Sequence, residues 1–251
     1  MSLADDYSDQ FRWRDWSTAL NALPPLAGQT VIDLGCAVGD LAAEFVKRGA
    51  HVVGLDLNDE LLQVARSRGL ANADFRLGDL RSLPQLEMAA DGLWCSFAAA
   101  YFPRLSETLP TWLANVKPGG WVALTEIDDM FAHEPLSART KTLLDEFVNE
   151  ALDAERYDFR MGRKLGDCLE RAGLTVTETL WLADQELAFD GPASAGVSDA
   201  WRSRFERMQL LRQACGTEFD RVRDEFIACL SHSAHRAQAR VCCCIATKPA
   251  M

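Results

Sequence analysis

Between residues 30 and 127 the chain alternates short apolar runs with longer stretches in which apolar residues recur every three or four positions. Val31, Ile32 and Leu34 mark the first run, and Leu41, Ala42, Phe45 and Val46 follow it at helical spacing. Further runs at 51–56, 73–76, 92–96 and 121–127 predict four more strands. Helices are expected at 39–48, after the cap-like cluster Asn58-Asp59-Glu60, and near 104–116. Lys117-Pro118-Gly119-Gly120 reads as a turn before the fifth strand. Strand–helix alternation of this kind builds a parallel sheet covered on both faces, an α/β, doubly wound architecture.

The second half breaks the alternation. Helices are expected at 137–154, 162–172, 199–214 and 217–230, and strands six and seven at 174–182 and 240–247. The sheet then has seven mostly parallel strands. An antiparallel hairpin needs only a few residues, so the one-sidedly apolar stretch 183–236 is read as a helical cap inserted between strands six and seven, over the ligand edge. Trp13, Trp16, Leu20 and Leu23 predict an amphipathic helix over 11–23, which Pro24-Pro25 ends. The expected organisation is an N-terminal helical lid at 1–28, a core at 29–182 and 237–251, and the cap at 183–236.

The formal net charge of −11 repels phosphate backbones, so neither nucleic acid nor an anionic membrane is the expected partner. No stretch approaches the roughly 20 apolar residues that span a bilayer. Residues 1–20 carry Asp5, Asp6, Asp9, Arg12, Arg14 and Asp15 without an apolar run, unlike a secretory signal. Eight cysteines include the consecutive Cys242, Cys243 and Cys244 and no Cys-x-x-Cys pair. They read as reduced, buried thiols in a cytoplasmic protein that has no metal site.

The turn Val31-Ile32-Asp33-Leu34-Gly35-Cys36-Ala37-Val38-Gly39-Asp40 leads from strand to helix through glycines, where open α/β sheets bind nucleotide-like ligands. A nicotinamide-binding turn would read Gly-x-Gly-x-x-Gly. Here Ala37 stands between Gly35 and Gly39, and that spacing fails. Three further motifs follow in order: Gly54-Leu55-Asp56, Gly78-Asp79-Leu80, and Val116-Lys117-Pro118-Gly119-Gly120. Together the four resemble the class I S-adenosylmethionine-dependent methyltransferases, in the small-molecule group that is similar to the ubiquinone methyltransferases. The resemblance covers about residues 30–127.

That resemblance implies a Rossmann-like methyltransferase fold, S-adenosyl-L-methionine as cofactor and S-adenosyl-L-homocysteine as product. It assigns cofactor contacts to Asp33, Gly35, Cys36, Ala37 and Gly39 in the first turn. Turn amides would hold the carboxylate of the methionine part, and Asp33 would order the turn or attract its ammonium. Asp56 would accept the ribose hydroxyls, Leu57 would pack on the adenine, and Gly78, Asp79 and Leu80 would meet its edge. The family often has glycine where Ala37 stands. Alanine is tolerated there if the local φ is negative, but it narrows the approach to the methionine tail.

Ser96-Phe97-Ala98 after strand four resembles small-molecule members, and Ser96 joins the cofactor contacts. The Asp/Asn-Pro-Pro-Tyr/Phe of enzymes acting on base amines is missing. On the acceptor side, His133 is the candidate general base. Asp128 can orient it or bind an acceptor ammonium. Tyr101 either faces the acceptor or packs in the core. Arg160 can grip a substrate carboxylate, and Trp13 or Trp16 can line the pocket. His232 and His235 are expected in solvent. The leading reading is methyl transfer to a metabolite hydroxyl or amine by a monomer or homodimer. The alternatives are a cofactor-binding scaffold or regulatory subunit, and a tRNA or protein methyltransferase.

Overall fold

The computed structural model describes residues 3–83 and 89–250. In chain order the elements are α1 (Leu3–Trp13), α2 (Trp16–Asn21), β1 (Thr30–Leu34), α3 (Asp40–Lys47), β2 (His51–Asp56), α4 (Asp59–Ser67) and β3 (Ala73–Leu77). Then come β4 (Ala90–Ser96), α5 (Leu105–Leu113), β5 (Val116–Asp128), β6 (His133–Glu134), α6 (Ala138–Asp153), α7 (Leu165–Arg171) and β7 (Thr175–Leu182). The last are α8 (Ala195–Arg207), α9 (Gln209–Cys215), α10 (Phe219–Leu230), β8 (Arg236–Ala237) and β9 (Arg240–Thr247).

Seven strands form one sheet in the order β3-β2-β1-β4-β5-β9-β7. The first five run parallel, and β9 lies antiparallel to both β5 and β7. The chain moves outward from β1 to β3 and then restarts on the other side of β1 with β4. The carboxyl ends of β1 and β4 therefore flank a topological switch point, where such sheets open a crevice.

Alternation along the strands divides the core between two faces. Val31, Val52 and Trp94 pack on one side with Phe45 of α3, and Ile32, Leu34 and Leu93 on the other with Trp112 of α5. The first face continues into the helices between β7 and β9, where Trp201, Phe205 and Phe226 meet Phe131. All four rings are buried, so the insertion shares the core of the sheet.

Four elements differ from the sequence pattern, the first of them through a contact from far along the chain. The N-terminal helix starts earlier and breaks at Arg14, because Arg14 forms an ion pair and a bridge with Asp184 while the Asp15 amide donates to Ala183. Asp15 then caps α2. Lys117-Pro118-Gly119-Gly120 lies inside a 13-residue β5 and is absorbed at a register shift against β4. The helix expected over 199–214 splits at Met208, and α10 is capped without help from Thr217.

Candidate active site

A cavity of about 380 Å³ opens at the switch point. Asp33, Gly35, Cys36 and Ala37 line it from the end of β1, and Ser96 and Phe97 from the end of β4. Helix α1 covers it with Tyr7, Gln10 and Phe11, and α8 contributes Arg204 and Arg207.

The first turn is tightly wired. Gly35 sits at φ +74, and a Cβ there would stand 2.9 Å from that of Ala98. Its amide and that of Cys36 donate to the Leu55 carbonyl at 2.7 and 3.1 Å. The Ala37 amide donates to Asp56 Oδ2 at 2.9 Å. These amides tie β1 to β2, which corrects the expectation that they stand free for a carboxylate. Asp40 at the start of α3 further disfavours an anion at that helix end. Ala37 has φ +46, not a negative φ, which is where glycine carries no steric cost. Left-handed strain of ~1–2 kcal/mol exceeds the ~0.5–1 kcal/mol entropic cost of glycine. Ala37→Gly is therefore expected to leave Tm unchanged or raise it by a few degrees, and a clear fall in calorimetry would contradict the strain.

Asp33 is buried, and its Oδ2 has no hydrogen-bond partner. Burial, then the charge of Asp56, raises its pKa to about 7. Burial also raises the Cys36 thiol far above its usual range, aided by Asp33 and Asp56. Gly39 starts α3 at φ +76. Asp56 Oδ1 accepts from the Asn58 amide at 2.9 Å. Leu57 and Leu77, past the ends of β2 and β3, are exposed at 63% and 59%. Gly78 donates to the Asp56 carbonyl, Asp79 accepts from the Arg81 amide, and Leu80 accepts from the Trp112 indole. Asp56 is tied to the lining residue Ala37, but Asp56, Leu57, Gly78, Asp79 and Leu80 do not themselves line the cavity.

The predicted acceptor residues divide. Tyr101 lines the cavity and packs edge-on against Tyr157 at 4.8 Å. Trp16 lines it, while Trp13 packs at the margin near Gly196. His133 does not line it. It is 1% exposed, stacked on His235 beneath the inserted helices, with Nδ1 2.9 Å from His235 Nε2. His235, expected in solvent, is fully buried, because its Nδ1 is held by the Gly191 carbonyl at 2.9 Å. Burial, then the charge of His235, lowers the His133 pKa to about 3. Asp128 pairs with Arg163 and Arg240 away from the cavity. Arg160 is engaged by Asp129, Asp145 and Asn149.

The sequence reading missed Tyr7, Tyr157, Arg14 and Arg204. All three tyrosines of the chain line this one cavity. Burial raises the pKa of each, so they remain phenols. Arg14 stacks over Phe97 and Trp16 and pairs with Asp184 and Glu186. Arg204 pairs with Glu186, which outweighs burial and keeps it charged. Behind them, fully buried Glu126 accepts from the Ala100 amide, and burial raises its pKa to about 8.

A cavity at the switch point, with an acidic first turn and a second carboxylate at the end of β2, defines a methyltransferase domain, and a family model of that description matches residues 31–120. The chain belongs to the class I S-adenosylmethionine-dependent methyltransferases, in the small-molecule group similar to the ubiquinone O-methyltransferases. It is 30% identical to the ubiquinone biosynthesis O-methyltransferase of Pseudomonas paraeruginosa over 62% of this chain and 69% of that one. Other such relatives are matched over 44% or 75% of their own length. Among solved structures, a candidate methyltransferase from Bacillus halodurans superposes with TM-score 0.61 at 19% identity, over 96% of this chain and 99% of that one. A Haemonchus contortus phosphoethanolamine N-methyltransferase in complex with S-adenosylhomocysteine gives 0.55 at 18%, over 93% and 53%. No helix among the described residues is long and apolar enough to cross a membrane.

Proposed function

We propose that the protein transfers a methyl group from S-adenosyl-L-methionine to a hydroxyl or amine of a small metabolite and releases S-adenosyl-L-homocysteine. The observation that carries this reading is the placement of an orphan Asp33 oxygen and a tyrosine–arginine wall in one cavity. Asp33 would take the ammonium of the methionine part, Asp56 the ribose, and the exposed faces of Leu57 and Leu77 the adenine. The bound cofactor supplies an electrophilic methyl on a sulfonium. The chain's own work is to position the acceptor and exclude water. Residues 3–13 and 195–208 act as lid and cap in this reading, joined by the Asp6–Arg207 ion pair. The eight free thiols fit a cytoplasmic location.

The test is S-adenosylhomocysteine formation by purified protein with labelled cofactor and a panel of hydroxyl and amine metabolites. Acceptor-dependent product is expected. Tight S-adenosylhomocysteine binding without turnover on any acceptor would favour the scaffold reading.

A further inference from the structure

The acceptor end of the cavity is a wall of hydrogen-bond donors. The hydroxyls of Tyr7, Tyr101 and Tyr157 make no hydrogen bond among the described residues, although all three border the cavity. Arg204 joins them from α8. Its Nη2 is held by Glu186, but its buried Nε has no partner. Of the carboxylates that line the cavity, Asp40 is paired with Arg68, and Asp33 stands at the β1 end, where the methyltransferase reading gives it to the cofactor. Those near the tyrosines are engaged. Asp6 is taken by Arg207, Asp184 by Arg14, and Glu186 by Arg14 and Arg204. Glu126 lies behind the tyrosines and does not line the space. Gln10 and the phenol oxygens can accept as well as donate, but they carry no negative charge to hold a cation. A cationic amine would find aromatic faces here but no free carboxylate, and it would face Arg204. An oxyanion would find phenols that have no protein partner and a guanidinium fixed by its ion pair.

We propose that Tyr7, Tyr101, Tyr157 and Arg204 form an acceptor subsite that takes a small molecule through an anionic oxygen, a carboxylate or a phenolate, and discriminates against ammonium groups. This rests on the methyltransferase reading of the cavity and narrows its acceptor class. Arg204 is the specificity residue. It sits in the insertion, so the helices between β7 and β9 choose the acceptor while the β1 turn serves the cofactor.

The test is equilibrium binding, read by the intrinsic tryptophan fluorescence of the whole chain with and without S-adenosylhomocysteine. The probes share one ring and differ in charge: benzoate, 4-nitrophenolate and benzylammonium. At least one anion is expected to bind tenfold or more tighter than benzylammonium, and the stronger anion tells carboxylate from phenolate. Arg204→Gln should weaken that anion at least tenfold, Arg204→Lys should recover part of the loss, and Tyr157→Phe should cost several-fold. S-adenosylhomocysteine affinity should stay within twofold in all three. Benzylammonium binding as tightly as the anions, no anion binding at millimolar concentration, or an unchanged anion Kd in Arg204→Gln overturns the proposal. If Arg204→Gln fails to fold, Tyr7→Phe and Tyr157→Phe decide it by the same criterion. Failure of S-adenosylhomocysteine to bind would instead overturn the cofactor reading, and the anion preference is then judged without it.

Discussion

Asp56→Asn is expected to lower the affinity for S-adenosylhomocysteine by about 100-fold or more, while Tm falls by only a few degrees. Each oxygen of Asp56 already accepts one backbone amide, those of Ala37 and Asn58. A carboxylate oxygen has a second lone pair to offer, so the structural duty leaves capacity for two ribose hydroxyls. Hydrogen bonds to a charged group contribute ~1.5–3 kcal/mol each, and ~1.4 kcal/mol is tenfold in Kd. Asparagine turns one of the two acceptors into a donor and takes the charge from the bond that remains, which together give the stated range. Asparagine keeps one acceptor for the backbone, so it separates ligand affinity from stability better than alanine. Asp56→Ala would strand two amides and add a stability cost of ~1–3 kcal/mol. Calorimetric titration measures the affinity and circular dichroism the fold. A Kd within threefold of the native protein in both variants would place the nucleoside elsewhere.

The turn after β1 and the acidic end of β2 are legible in the sequence because they lie within one run of the chain, 31–80, and because glycine and acid at strand ends have local causes. Asn58 shows this well. Its cap is visible in the sequence, and its side chain accepts from Glu60 and Leu61 as expected. The tyrosine–arginine wall has no such local signature. Tyr7, Tyr157 and Arg204 come from α1, a loop after α6 and α8, and only tertiary packing brings them together. His133 lies away from the cavity for the same reason. A histidine after the fifth strand reads as a loop base, and nothing near it announces that Trp201, Phe189 and Phe226 will close over it. Arg14 broke a well-patterned helix because its partner lies 170 residues away. Ala37 departs from the condition under which alanine costs nothing: it takes a positive φ while its amide donates to Asp56, a contact 19 residues away.

Acid is expected to loosen the joint between the sheet and its insertion through the His133–His235 pair. The Gly191 carbonyl requires the proton of His235 on Nδ1, so its Nε2 accepts and His133 Nδ1 donates. That leaves both rings neutral and His133 Nε2 without a partner. Burial lowers both pKa values below the usual 6.5. A base with a depressed folded pKa contributes fully above its unfolded pKa, and the contribution is lost as pH falls below 6.5. At pH 5.0 the unfolded chain gains from protonating His133 while the folded chain does not, a penalty of about 2 kcal/mol at 1.36 kcal/mol per unit. Asp33 and Glu126 act in the opposite sense. Their raised pKa values, about 7 and 8, make the folded state more tolerant as pH falls from 7.5. The raw pH dependence therefore mixes two signs, and the comparison must be between variants. His133→Phe keeps an aromatic ring among aromatic neighbours and removes the titration. Between pH 7.5 and 5.0 the native Tm should fall further than that of His133→Phe by about 4–8 °C. Parallel melting curves for the two proteins across that range would show that the pair does not stay neutral in the fold.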